Sequence, residues 1–144
     1  MDYEYYKLIR NSIQVRQVQL MSIDCQRNDV KVQENMPLDM AIQGKTELID
    51  STKAVIYLKV TLGRKQDYPF YIDIVHKGLC YSNGEVKDGE LEKYANDQII
   101  PLLLPYARES VSSIMTKMNL PVYTIPTIDV LGTLKVNRQG EDIQ

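Results

Sequence analysis

The sequence has no tryptophan, one phenylalanine and one histidine, and its two cysteines lie far apart. Nucleophilic catalysis usually needs a histidine beside a serine or cysteine and an acid, and no such triad pattern surrounds His76. A zinc site needs clustered histidine or cysteine, so we expect no metal. Cys25 and Cys80 are predicted to be two reduced thiols rather than a disulfide.

Long apolar runs are also missing. The longest, "IIPLLLPYA", is far shorter than the roughly 20 residues that span a bilayer, so we expect no membrane insertion. The N-terminal stretch "MDYEYYKLIRNS" has early acidic residues and no apolar core, unlike a secretory signal. The expected location is therefore the cytoplasm.

An excess of basic charge is absent as well. Lysine and arginine number 17 against 19 acidic residues, giving a net charge of −2 and no basic run. This composition argues against nucleic-acid binding. No Gly-rich phosphate loop of either common pattern occurs, so no nucleotide cofactor is expected, nor any other cofactor. With His76 on the apolar side of a predicted strand, where a structural role is favoured, we predict that the protein is not an enzyme.

What the sequence does contain is the pattern of a single domain over residues 1–144. Alternating apolar and polar residues predict four β-strands, at residues 12–23, 36–44, 54–63 and 69–79. A phase slip in the first run predicts a β-bulge near Arg16 and Gln17. The short polar loop that opens with Gly63 predicts a hairpin, and the connections favour an antiparallel sheet.

A helical pattern follows, with apolar residues at three- and four-residue steps. Asp97 is the expected N-cap, and Pro121 should end the helix at residue 118. Pro101 suits a first turn, whereas Pro105 predicts a bend or a regular helix that begins only near Leu102. The prediction is an α+β fold, a four-stranded antiparallel sheet backed by one long helix. Its segments are an N-terminal segment (1–11), the sheet (12–81), the helix (97–118), an apolar loop (119–130) and a polar tail (131–144).

Ten tyrosines and six methionines stand out in the composition. Tyrosine combines an apolar ring with a polar tip, which suits grooves and interfaces, and methionine adapts its shape to varied partners. Each tyrosine alone is adequately explained as a residue that fills a strand face. Together, these residues suggest a surface that accepts varied apolar partners.

The helical region carries a recognisable motif in "NDQIIPLLLPYARESVSSIMTKMNLPVYTIPTIDV". It resembles the SecB family of export chaperones, whose helix contains a Pro-Tyr-Ala-Arg-Glu stretch followed by Ser/Thr–Met turns and a proline-containing lid loop. The matching residues are Leu104, Pro105, Tyr106, Ala107, Arg108, Glu109, Ser112 or Ser113, Met115 and Pro121. The strand "FYIDIVHKGLC" also resembles the fourth strand of that family, whereas the first two strands match in number, length and order alone.

The resemblance implies a homotetramer, a dimer of dimers with the long helices inside, that holds unfolded polypeptide without ATP. The residues implied for the oligomer interface are Leu104, Tyr106, Arg108, Glu109, Val111 and Met115. The residues implied for client binding are Tyr57 and Tyr71 on the sheet and Val122, Tyr123, Ile125, Pro126 and Ile128 in the lid loop. For the lid residues, ordinary packing over the sheet is an equally good reading.

The resemblance also implies a partner beyond the clients, either the SecA motor for export or an antitoxin in a toxin–antitoxin system. Export-type members have a strongly acidic sheet face, and here Asp73 is the one clear counterpart, with Asp24 as a second acid nearby. The family usually ends in a second helix, whereas Gly132 and Gly140 interrupt the tail of this chain. The alternative function is an interaction or structural domain that kept the fold but holds no clients.

Overall fold

The computed structural model describes residues 13–33, 36, 39–82 and 89–121. These residues form one four-stranded antiparallel sheet in the order β1-β4-β3-β2, followed by one long helix, α1. The fold class predicted from the sequence is therefore confirmed. The elements are β1 (Ile13–Arg27), β2 (Met40–Leu48), β3 (Lys53–Gly63), β4 (Phe70–Ser82) and α1 (Glu90–Lys117).

The first strand is the longest and the most irregular. Its pairing with β4 shifts register between Arg16 and Gln19 and again between Leu20 and Ser22. Gln17 has a positive φ of 55°, which L-residues adopt rarely and which marks the inserted residue. The β-bulge predicted at Arg16 and Gln17 is confirmed, and a second irregularity lies a few residues beyond it.

The two faces of the sheet differ in burial because side chains alternate along each strand. Residues 54 to 62 of β3 alternate strictly between buried and half-buried, and β4 follows the same rule. The buried set packs against α1, which crosses β2, β3 and β4 and barely touches β1. The core of the sheet side consists of Ile42, Ala54, Ile56, Leu58, Val60, Leu62, Ile72, Ile74 and Cys80.

The helix begins earlier than predicted, at Glu90 instead of Asp97, with Gly89 as its N-cap at φ 83°. It runs continuously through Pro101 and Pro105, so the expected start near Leu102 is also wrong. Both prolines lie on the exposed side of the helix, where water can hydrogen-bond to the carbonyls that proline leaves without a helical partner. Tertiary packing of the opposite, apolar side supplies the stability that the sequence rule missed.

Three contacts tie the end of β1 to the far end of the domain. Nε of Arg27 donates a hydrogen bond of 2.7 Å to the carbonyl of Met118, just past the last turn of α1. The Asn28 amide donates to the carbonyls of Arg64 (3.1 Å) and Tyr68 (2.8 Å), which holds the β3–β4 hairpin loop against β1. The predicted hairpin is thus present, and Gly63 opens it with φ 74°.

Candidate functional site

The sheet face turned away from α1, called here the open face, is the candidate binding surface. Its residues in β3 and β4 are half-buried apart from the exposed Lys53 and the buried Gly63. The register places Lys45 of β2 and Lys77 of β4 on either side of Tyr57 in β3. Lys59, two residues along β3, lies on the same face. Tyr57 therefore sits among three lysines, called here the lysine cluster (Lys45, Lys59 and Lys77).

Tyr71 lies at the other end of the open face. It pairs with Gly63, six positions along β3 from Tyr57, so the two tyrosines are about 20 Å apart. The Tyr71 hydroxyl donates a hydrogen bond of 3.2 Å to Oδ2 of Asp73. Burial, and secondly the Asp73 carboxylate, raise the pKa of Tyr71 above its usual value, so the phenol stays a proton donor. The structure thus places both predicted sheet tyrosines on one face without bringing them together.

Asp73, the predicted candidate for SecA contact, pairs directly with Asp24 across β4 and β1. Like charges in that position repel, and two lysines offset the repulsion. Nζ of Lys59 lies 3.6 Å from Oδ2 of Asp73, and Nζ of Lys65 lies 3.8 Å from Oδ2 of Asp24. Oδ1 of Asp73 is buried and has no hydrogen-bond partner among the described residues. The two acids therefore form a small, largely neutralised patch.

The lid residues predicted to bind clients, Val122, Tyr123, Ile125, Pro126 and Ile128, lie outside the described residues. The predicted interface residues fall into two groups. Leu104, Val111 and Met115 are buried inside the domain's own core, against the sheet. Tyr106 and Glu109 are exposed, and Arg108 is half-buried. The second group therefore offers side chains that a partner could reach.

Among the described residues, several large apolar side chains of β1 and one of α1 are exposed, because α1 barely extends over that strand. Leu20 is 46% exposed, Met21 48% and Ile23 44%, and Tyr106 of the helix is 49% exposed. Leu20 pairs with His76, and the rings of His76 and Tyr106 have their centroids 6.4 Å apart. These four residues, Leu20, Met21, Ile23 and Tyr106, are called here the β1 strip.

His76 itself is buried under α1 at 3% exposure. Burial lowers its pKa below 6.5, and the nearby Glu109 carboxylate partly opposes that shift. A neutral imidazole in a helix–sheet interface fits the structural role predicted for it. Burial likewise raises the pKa of the Cys80 thiol to about 12, which leaves that thiol unreactive.

The described part of the chain contains no metal-binding cluster, no disulfide and no membrane-spanning helix. There, no three histidine, cysteine, aspartate or glutamate side chains are close enough together to bind a metal ion. Cys25 and Cys80 are both free thiols, one exposed and one buried. The described portion also contains no helix of the length and apolar character needed to cross a membrane.

Sequence reasoning missed the lysine cluster and the β1 strip. Alternation alone predicts that each lysine points away from the core. It cannot say that three strands bring them around one tyrosine, because that depends on strand register. The β1 strip was missed because the position of the helix across the sheet has no signal in local sequence.

Comparison with known proteins gives three informative matches. No protein-family model matches the chain. An uncharacterized protein of Methanocaldococcus jannaschii is 24% identical over 123 residues, covering 83% of this chain and 77% of that protein. The protein-export protein SecB of Cellvibrio japonicus is 27% identical over 95 residues, which are 66% of this chain and 56% of SecB. The match thus spans just over half the length of that SecB.

The structural match is the most extensive. The SecB-like chaperone Rv1957 of Mycobacterium tuberculosis, solved in complex with a peptide from the HigA1 antitoxin, superimposes with a TM-score of 0.71. The superposition covers 88% of this chain and 97% of the chaperone at 18% identity, which establishes a shared fold. The chain has the SecB-like fold, and the resemblance to the SecB-like family first seen in its "PYARE" stretch is confirmed.

Proposed function

We propose that the protein is a cytosolic, ATP-independent holdase that binds unfolded or nascent polypeptides and catalyses no reaction. The observation that carries the proposal is the open face, a sheet surface with half-buried tyrosines and aliphatic residues that no helix of the described residues covers. Such a surface can accept extended apolar segments while it remains soluble on its own. The SecB-like fold supports this reading because its characterised relatives are chaperones.

Between the two biological roles, the structural neighbour favours antitoxin stabilisation, since that chaperone was solved with an antitoxin peptide. The sequence match to SecB supports the export role, in which SecA would dock near Asp73. The acid pair of Asp24 and Asp73 is small and already faces Lys59 and Lys65. We therefore place antitoxin stabilisation first. A toxin–antitoxin gene pair beside this gene would support that order, and direct binding of SecA would reverse it.

The proposal includes a homotetramer built as a dimer of dimers. Burial of the β1 strip would favour self-association, because several large apolar side chains are about half exposed on one edge of the sheet. β1 is also an edge strand, whose outer backbone groups can pair with another strand. Tyr106, Arg108 and Glu109 would lie near such an interface. The lid loop would complete the client groove.

Suppression of aggregation tests the function directly. A chemically denatured client is diluted into buffer with and without equimolar protein, in the absence of ATP, and light scattering is followed. We expect scattering to fall in the presence of the protein. Full aggregation at equimolar protein would contradict the holdase proposal.

A variant locates the activity on the open face. Tyr57→Ser removes an aromatic ring from a half-exposed position, so it should weaken client holding by roughly threefold to tenfold with little loss of stability. Val32→Ser is a matched control, because Val32 is 46% exposed in the segment between β1 and β2. Equal loss in both variants would place the client elsewhere.

The second candidate function is an interaction domain without client binding. Dye binding and mass measurement separate it from the first. A monomer that binds no apolar dye would favour this alternative, whereas an oligomer that binds dye and loses it when client is added would favour the chaperone.

A further inference from the structure

We propose that the open face selects extended polypeptide segments in which acidic residues stand beside apolar ones. This inference rests on the proposed holdase function and specifies the chemistry of the client. It derives from the charged side chains that the strand register places on the open face. The net charge of that face is positive, whereas the net charge of the chain is negative.

The charge balance of the open face is the first observation. The strand pairing places five cationic residues and three anionic residues on this face. The cations are Arg16, Lys45, Lys53, Lys59 and Lys77, and the anions are Asp24, Glu47 and Asp73. The entire chain has a net charge of −2. The face is therefore positive on a negative protein, and a partner that approaches it is favoured if it carries acidic groups.

The distribution of those charges is the second observation. The two aspartates lie together at the Tyr71 end of the face, with Lys59 and Lys65 against them. The opposite end contains Glu47 as its single acid, 2.9 Å from Lys45. Both of those side chains are well exposed, and such pairs contribute little stability, so a client carboxylate can replace Glu47 at low cost. The positive character thus concentrates around Tyr57.

Apolar side chains run between these cations. Val55 and Tyr57 of β3 lie beside Leu79 and Val75 of β4 on the same half-buried face. Lys45 and Lys77 flank Tyr57 at one strand spacing on each side, which puts all three within about 10 Å. Lysine side chains can lie along apolar surface and keep their charged ends in water. The result is an apolar strip bordered by ammonium groups.

The side-chain spacing of an extended polypeptide matches the spacing of the residues on the open face. Alternate side chains of an extended chain point the same way at a spacing of about 7 Å, the same spacing as Val55, Tyr57 and Lys59 along β3. Its apolar side chains can cover Tyr57 and Leu79 while acidic neighbours reach the lysine cluster. A basic segment of equal apolarity would face five cations against three anions and is disfavoured by the net positive charge.

Competition between matched peptides tests the proposal. Binding of a fluorescently labelled peptide rich in leucine and glutamate is measured by anisotropy, beside a peptide with lysine at every glutamate position. We expect the acidic peptide to bind at least about tenfold more tightly at low salt, with the difference shrinking as salt rises. The double variant Lys45→Glu/Lys77→Glu should remove or invert the preference. Lys31→Glu, an exposed charge reversal outside the sheet, should leave it unchanged.

The outcomes separate this proposal from the function on which it rests. If the protein suppresses aggregation but binds both peptides equally, the charge selection is wrong and the holdase function stands. If it neither suppresses aggregation nor binds either peptide, the holdase function itself fails. A single-stranded oligonucleotide that displaces the acidic peptide at equal concentration would also overturn the proposal, because the face would then bind anions without regard to apolar groups.

Discussion

Ser110 of the helix lies against His76 of the sheet, with its hydroxyl oxygen 3.4 Å from Nε2 of the imidazole. The other ring nitrogen, Nδ1, is buried and has no hydrogen-bond partner among the residues that the structure describes. The contact joins α1 to the centre of β4 through a side chain that can acquire charge. The pH range in which it does so follows from the direction of its pKa shift.

Because burial holds the pKa of His76 below 6.5 in the folded protein, the unfolded chain takes up a proton first as pH falls. The contribution of His76 to stability is therefore full above pH 6.5. It declines as pH drops from 6.5 through the lowered folded-state pKa, at no more than about 1.4 kcal/mol per pH unit. Urea unfolding between pH 7.5 and 5 measures this slope. The free energy of unfolding of His76→Gln should depend less on pH over that interval. An unchanged slope would mean that another group causes the pH dependence.

Gly63 permits the sharp start of the β3–β4 hairpin. A Cβ at this position would lie 2.1 Å from the carbonyl oxygen of Phe70, and φ is 74°. Gly63→Ala should lower the free energy of unfolding by more than about 2 kcal/mol, from the clash together with the backbone strain. Gly89→Ala is the matched control, because its φ is 83° but a Cβ there would meet no atom of the described residues within 4 Å. It should cost about 1 kcal/mol, and equal losses would mean that the clash relaxes freely.

Arg27 caps the carboxyl end of α1 through its bond to the Met118 carbonyl. A charged donor at that end also favours the negative pole of the helix dipole. Arg27→Met keeps most of the apolar stem and should destabilise the protein by about 1–2 kcal/mol in thermal or denaturant unfolding. Arg64→Met removes an exposed ion pair to Asp39 and should cost less than about 1 kcal/mol. Reversal of that order would contradict the capping role.

The β1 strip predicts which edge of the sheet mediates assembly. Leu20→Glu or Ile23→Glu places a charge in the uncovered apolar surface and should shift the protein towards monomer in light scattering behind size exclusion. Leu48→Glu is the control on the opposite edge strand, at a residue that is 52% exposed. If Leu48→Glu dissociates the oligomer and Leu20→Glu does not, assembly uses β2 instead. A wild-type monomer would contradict the predicted tetramer itself.

Much of the fold follows from local pattern. Strict alternation in β3 and β4 predicted both strands and their buried sides, because a two-residue repeat has one interpretation when a single face is covered. The phase slip at Arg16 and Gln17 predicted the bulge for the same reason. The start of α1 was missed because Asp97 is a better N-cap by residue type than Gly89, and tertiary packing outweighed that preference.

The candidate site was predicted less completely. Tyr57 and Tyr71 could be assigned to one face from alternation, but their separation depends on the pairing of Tyr71 with Gly63. The lysines around Tyr57 come from three strands, so no window of sequence contains them together. The exposure of β1 likewise depends on strand order and cannot be predicted from the sequence of β1 alone. Alternation predicted the strand itself, but it could not show that the helix covers the other three strands and barely touches β1.

The strand order also determines when each strand can pair during synthesis of the chain. β1 is translated first, yet its partner in the sheet is β4, which begins at Phe70, after β2 and β3 have been made. The hairpins of β2, β3 and β4 join neighbours in sequence and can close early, whereas β1 must wait. During synthesis, then, the longest described strand is an unpaired segment in which apolar and polar residues are interspersed, an extended segment of the kind that the finished protein is proposed to hold.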